Sequence, residues 1–206
     1  MRNSRRQLVW LMLIIAGGIL GCAPSNSPKS TPPTSAASID QSKSDEPVVS
    51  QPKFASAKVT LVEMDFVQFQ DFLKSKQGKI VVVDMWATWC PPCVKGFPNL
   101  VALRKKYSEK DVACISLSLD HQGIDPLDDV AKLVREFLEK QHAELDNILA
   151  TEESDTILKK FGTASIPVVD VYGRDGKLVQ RFDESSGKHF DYDEVDQTVQ
   201  KLLTSP

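Results

Sequence analysis

Cysteine is scarce: the chain has four in 206 residues, too few for a disulfide-dense scaffold. Basic charge is not in excess either. Twenty-five lysines and arginines stand against 28 aspartates and glutamates, a formal net charge of −3. Nothing is available to displace counterions along phosphates, so nucleic-acid binding is set aside. No internal repeat recurs, which excludes solenoids and propellers. No apolar run is long enough to span a bilayer. The longest covers residues 8–20 and rises about 20 Å as a helix, against a hydrocarbon core of about 30 Å. What remains is 41 % hydrophobic and 26 % charged, a globular composition with length for one domain and an appendage.

The appendage comes first. Arg2, Arg5 and Arg6 precede the apolar run, so residues 1–21 read as a signal peptide rather than a spanning helix. The run ends Ile19, Leu20, Gly21, Cys22. This resembles the bacterial lipoprotein box, although Leu20 stands where many such boxes carry a smaller residue. The resemblance implies lipid attachment at Cys22, cleavage after Gly21 and a place on a membrane of the bacterial cell envelope. Residues 22–57 read as a lipidated, disordered linker. After Cys22 they hold six of the twelve prolines and nine serines, and so cannot bury enough apolar surface to offset their ordering entropy. Asp40, Asp45 and Glu46 balance Lys29, Lys43 and Lys53, so the linker is neutral and the acidic excess belongs to the remaining domain.

Residues 58–206 alternate between strand and helix patterns. Residues 59–62 read as a short strand. Asp65 is placed to cap a helix whose Phe66, Phe69, Phe72 and Leu73 share one face. Residues 80–86 and 112–119 are near-continuous apolar runs, the mark of strands covered on both sides. Between them a helix is expected from Pro91 to Ser108, with Pro98 as a kink. Asp125 and Pro126 read as the cap and first residue of the next helix, whose Leu127, Val130, Val134, Phe137 and Leu138 form a core face. A further strand is expected near Asn147. Ser154 reads as the cap of a short helix stopped by Gly162. Residues 167–172 and 177–182 flank a Gly-Arg-Asp-Gly hairpin signal. A last helix presents Tyr192, Val195, Val199, Leu202 and Leu203 to the core. The fold class is therefore α/β: a mixed sheet flanked by helices, with antiparallel pairing at one side.

The chemistry concentrates at Cys90 and Cys93, three residues apart where a buried strand passes into a helix. One turn brings them onto the same face, within reach of a small disulfide loop. Cys90 falls at the helix N-terminus, where free N–H groups and the dipole favour a thiolate, and is expected to be the attacking sulfur. Cys93, one turn in, is expected to be more shielded and to resolve. Three readings are open. Dithiol redox chemistry needs this spacing and place. A structural staple gains little from so small a loop. A zinc half-site needs two further ligands in a matching pair, whereas Cys114, His121, His142 and His189 are scattered singly. The redox reading is the one the residues favour. Cys114, on its apolar strand, reads as buried and inert. Arg104, Lys105 and Lys106 read as a solvated helix face.

The run from Val81 through Asp84, Trp86, Trp89, Cys90, Pro91, Pro92 and Cys93, followed by Pro98 and then Ser165, Ile166 and Pro167, resembles the thioredoxin superfamily. More narrowly it is similar to the membrane-tethered extracytoplasmic branch (TlpA/ResA-like). That branch carries an extra strand and helix in mid-domain, and residues 112–149 have the length for them. The resemblance implies a thioredoxin-like fold and a redox-active Cys90–Cys93 disulfide with no dissociable cofactor and no metal. It makes Pro167 a cis-proline facing the disulfide, with the Ile166 backbone pairing with an extended substrate; Trp89, flanking the pair, reads as rim packing that also shapes the groove for a peptide. Asp84, a carboxylate in an apolar strand with a raised pKa, would exchange a proton with Cys93. Gly96 stands where relatives devoted to cytochrome c maturation usually carry an acid, which argues against that specialised role.

These residues point to a lipid-anchored, extracytoplasmic thiol–disulfide oxidoreductase acting on protein thiols and disulfides and recharged by a membrane electron donor. Pro92 lacks an N–H, so the thiolate has one donor fewer and the protein is expected to act as a reductant. A thiol peroxidase-like enzyme is the first alternative, although its Pro-x-x-x-Thr-x-x-Cys pattern is absent. The second is a non-catalytic thioredoxin-fold binding module.

Overall fold

The computed structural model describes residues 59–205 except positions 186 and 188. The expected signal peptide and the whole linker, Cys22 included, lie outside the described residues. Among the described residues eleven elements follow in chain order. They are β1 (Val62–Met64), α1 (Phe66–Ser75), β2 (Ile80–Trp86), α2 (Pro91–Lys106), β3 (Val112–Ser118), α3 (Leu127–Lys140), β4 (Asp146–Ala150), α4 (Ser154–Phe161), β5 (Val168–Tyr172), β6 (Leu178–Asp183) and α5 (Tyr192–Thr204).

The six strands form one sheet in the order β1-β4-β3-β2-β5-β6. β1, β4, β3 and β2 run parallel, and β5 and β6 join antiparallel. β2 and β3 are buried along their whole length, which is why both appear as unbroken apolar runs. Alternate residues of β2 feed two cores. Ile80, Val82 and Trp86 pack with α2, α3 and α5. Val81, Val83 and Met85 pack with α1 and α4. Asp84 has the parity of Val82 and Trp86, so it faces the α2/α5 side.

The helix starts differ from expectation in two places. Pro126 is itself the cap residue of α3 in extended geometry, and no side chain caps the helix; Asp128 and Asp129 in the first turn supply the favourable charge instead. Ser154 is the first residue of α4 rather than its cap. Its N–H is taken by the His121 carbonyl at 2.8 Å, so no side-chain cap is needed there. Asp65 does cap α1, in a capping box with Gln68. β1 starts at Val62 rather than residue 59, because the Asn147 side chain takes the Thr60 carbonyl at 3.0 Å in place of a ladder bond. The Arg104–Lys106 run is not simply a solvated face. Arg104 pairs with Glu109, and Lys106 pairs with Asp196 of α5 at 2.6 Å.

Candidate active site

β2 ends at Trp86, fully buried, with its indole N–H donating to Ser116 Oγ at 3.0 Å. The ring packs against Phe97 of α2 and Phe137 of α3, each at a centroid distance of 4.7 Å. The chain then turns through residues 87–90 before α2. That turn is tied down by a buried carboxylate. Asp120 accepts from the Thr88 N–H at 2.9 Å and from the Thr88 hydroxyl, and its other oxygen accepts from Ser118 Oγ at 2.7 Å.

Cys90 is the cap residue of α2, and Cys90 and Cys93 are joined in a disulfide with their Cα atoms 5.3 Å apart. Pro91 and Pro92 fill the first two helical positions and contribute no N–H. The first available donor is therefore the Cys93 N–H, which reaches Cys90 Sγ at 3.3 Å. The expected difference in shielding is not present. Cys90 and Cys93 are 5 % and 4 % exposed, both within the core cluster of that face of the sheet. What distinguishes them is position, one at the cap and the other a turn into the helix. Trp89, beside them, is half exposed at 47 %.

Asp84, Cys93, Pro167 and Tyr192 line one cleft of about 540 Å³, joined by Lys95 and Phe190. The Ile166–Pro167 peptide bond is cis. Asp84 is 4 % exposed, and burial pushes its pKa from 3.8 up to about 7, partly opposed by a hydrogen bond from the Tyr192 hydroxyl. The carboxylate therefore has a partner in the Tyr192 hydroxyl, although it stands in an apolar strand. Tyr192 is the residue that sequence reasoning missed at this site; its helical spacing marks it only as core. His189 also lines the cleft, and nothing in the sequence around it signals that. His121 is elsewhere, with Nδ1 2.8 Å from the Thr151 carbonyl oxygen.

A second cleft, of about 370 Å³, lies at the opposite end of β2 and β3 and includes Cys114. That thiol is buried, and desolvation pushes its pKa up to about 12, so it is unreactive at neutral pH. Among the described residues no three His, Cys, Asp or Glu side chains gather as a metal-binding group.

The Redoxin family matches residues 52–199. The chain belongs to that family. This redoxin is 33 % identical over 122 residues to the thiol-disulfide oxidoreductase ResA of Bacillus thuringiensis subsp. konkukian, covering 59 % of this chain and 62 % of the relative. It is 23 % identical over 108 residues to ResA of Bacillus subtilis, covering 52 % and 55 %. The chain therefore spans about 62 % or less of the length of these two curated relatives. Among solved structures it is similar to a thiol-disulfide isomerase from Corynebacterium glutamicum, with a TM-score of 0.54 and 18 % identity over 65 % of this chain and 86 % of that one. It is also similar to the exposed lipoprotein thioredoxin of Streptococcus pneumoniae, with a TM-score of 0.50 and 22 % identity over 63 % and 90 %. The fold is thioredoxin-like, and in sequence the chain is similar to ResA thiol-disulfide oxidoreductases.

Proposed function

We propose that this redoxin is a thiol–disulfide oxidoreductase that works by dithiol–disulfide exchange through Cys90 and Cys93. The observation that carries this reading is a disulfide at the start of a 16-residue helix whose second sulfur shares a cleft with a buried carboxyl titrating near neutrality. In the reduced protein the Cys90 thiolate attacks a partner disulfide. A Cys90–partner bond forms and the other partner sulfur leaves as a thiolate. Cys93 gives its proton to the Asp84 carboxylate and attacks Cys90 Sγ. The Cys90–Cys93 bond forms, the partner bond breaks, and the released thiolate takes the proton from Asp84. Two electrons pass to the partner, and an external dithiol at the membrane must return them. No dissociable cofactor takes part. In this reading Trp89, Pro167 and the Ile166 backbone hold the partner chain beside the sulfurs.

With both proline positions lacking an N–H, the Cys90 thiolate has the Cys93 N–H as its nearest helix donor. The reduced form is then stabilised less than at a fully furnished helix start, and the protein acts as a reductant. A reduction potential above roughly −180 mV would overturn that direction. The same reading places the domain on the extracytoplasmic side of a bacterial membrane, held by lipid on Cys22. Loss of membrane association in Cys22→Ala supports the anchor, and its retention excludes it.

The deciding experiment is trapping. Cys93→Ser should accumulate a mixed disulfide at Cys90 when offered oxidised insulin or envelope proteins, and Cys90→Ser should not. Insulin reduction by the wild type that is no faster than with Cys90→Ser would leave only a binding module. Peroxide consumption that survives Cys93→Ser but not Cys90→Ser would favour the peroxidase reading.

A further inference from the structure

Resting on the exchange reading above, we infer that Tyr192 is the positioning residue of the proton step, acting through Asp84. Tyr192 is the first residue of α5, directly after the capping Asp191. α5 is fixed in place: Val195 and Val199 are fully buried, and Asp196 is gripped by Lys106 and by the Tyr107 hydroxyl, each at 2.6 Å. The phenol is therefore presented to β2 by a clamped helix and needs no reordering to donate. Among the described residues, the Tyr192 hydroxyl is the side-chain hydrogen-bond partner of Asp84. Both line the cleft that Cys93 opens onto.

The chemistry follows from which group can carry the proton. Burial and the Asp84 charge hold the Tyr192 hydroxyl well above its ordinary value, so the phenol remains a donor throughout. A hydrogen bond to the ionised carboxylate favours that form. Tyr192 thus keeps Asp84 able to accept the Cys93 proton at neutral pH, while burial keeps it able to give the proton back. The other titratable groups around this pair are Cys93 and Lys95 from α2 and His189 and Asp191 ahead of α5. Cys114 of β3 acts on the phenol. Val169 of β5, opposite Asp84 in the ladder, and Pro167 do not titrate.

The test uses the full chain and two readouts. In the oxidised protein, isotope-edited infrared spectroscopy follows the Asp84 carboxyl as pH is raised. Tyr192→Phe should move its midpoint upward by about one pH unit, the effect of one charge-assisted hydrogen bond. In the reduced protein, release of a Cys90 mixed disulfide should slow nearly tenfold at pH 6 and stay within about twofold at pH 9. 3-Fluorotyrosine placed at position 192 keeps the shape and strengthens the donor, and should move the midpoint the other way; it decides the matter if Tyr192→Phe fails to fold. An unmoved midpoint, or a rate loss equal at all pH values, overturns the inference. If the wild type forms no mixed disulfide at all, the exchange reading fails instead, and with it the role of Tyr192 in that step, whatever the carboxyl titration shows.

Discussion

Asp84 lowers the stability of the fold that holds it, by an amount that can be worked out. Its pKa is 3.8 in an ordinary setting and about 7 in the folded chain. A carboxyl whose pKa is raised on folding binds more protons folded than unfolded between those two values. Stability therefore falls as pH rises from about 4 to about 7 and is level above that. Each tenfold in a protonation equilibrium is about 1.4 kcal/mol, so the full effect is about 4 kcal/mol. Asp84→Asn removes the charge and keeps an acceptor for the Tyr192 hydroxyl. Its new amide donors cost about 1–2 kcal/mol where they find no partner. The variant should then be more stable than the wild type by about 2–3 kcal/mol above pH 8 and no more stable at pH 4. In a domain of this size that raises Tm by about 5–10 °C at alkaline pH. Denaturant unfolding of the two oxidised proteins across pH 4–9 measures it, and taking the difference cancels every other titrating group. A difference that does not widen with pH would refute the assignment of a buried, near-neutral carboxyl. The same substitution should slow mixed-disulfide release near neutral pH, since the stability is gained at the expense of the proton acceptor.

Two further changes probe buried carboxylates that do not line the cleft. Asp120→Ala strands the Thr88 and Ser118 donors that it holds and should cost about 2–4 kcal/mol in denaturant unfolding; a loss under about 0.5 kcal/mol would show that the 87–90 turn does not depend on it. Arg181→Ala leaves Asp170, fully buried and held by Arg181 Nε and a terminal nitrogen at 2.7 and 2.6 Å, without its cation. The expected loss is about 3–5 kcal/mol, and Asp170→Leu with Arg181→Leu should recover most of it.

What the sequence made legible was local. β2 reads correctly at both ends because a strand buried on both faces must be apolar throughout. The Asp65 cap reads correctly because its partner, Gln68, is three residues away. The Cys90–Cys93 pairing reads correctly because its geometry is set within one turn. The misses are contacts made across the fold. Tyr192 and Asp84 are 108 positions apart, and a tyrosine on the inner face of an amphipathic helix has the same spacing whether its hydroxyl meets solvent or a carboxylate. Thr88 and Asp120 are 32 apart and carry no shared pattern. Ser154 was misread as a cap for the same reason, since the His121 carbonyl that satisfies it comes from another loop.

The register of the sheet explains why these distant residues meet. β5 runs antiparallel to β2, with Met85 opposite Val168. The chain leaving β2 toward Cys90 and the chain entering β5 from Pro167 therefore lie at the same end of the sheet, and one cleft collects both. Parity does the rest. Asp84 shares the face of Val82 and Trp86, the face covered by α2 and α5, so the helix bearing Cys93 and the helix bearing Tyr192 approach the same carboxylate. A one-residue slip of β2 would turn Asp84 toward α1 and α4. There it would meet Phe69, Leu73 and Ile157, with neither sulfur nor phenol in reach. The position of one acid in an apolar strand thus depends on strand register as much as on composition, and the site can be disabled by moving that strand without altering either cysteine.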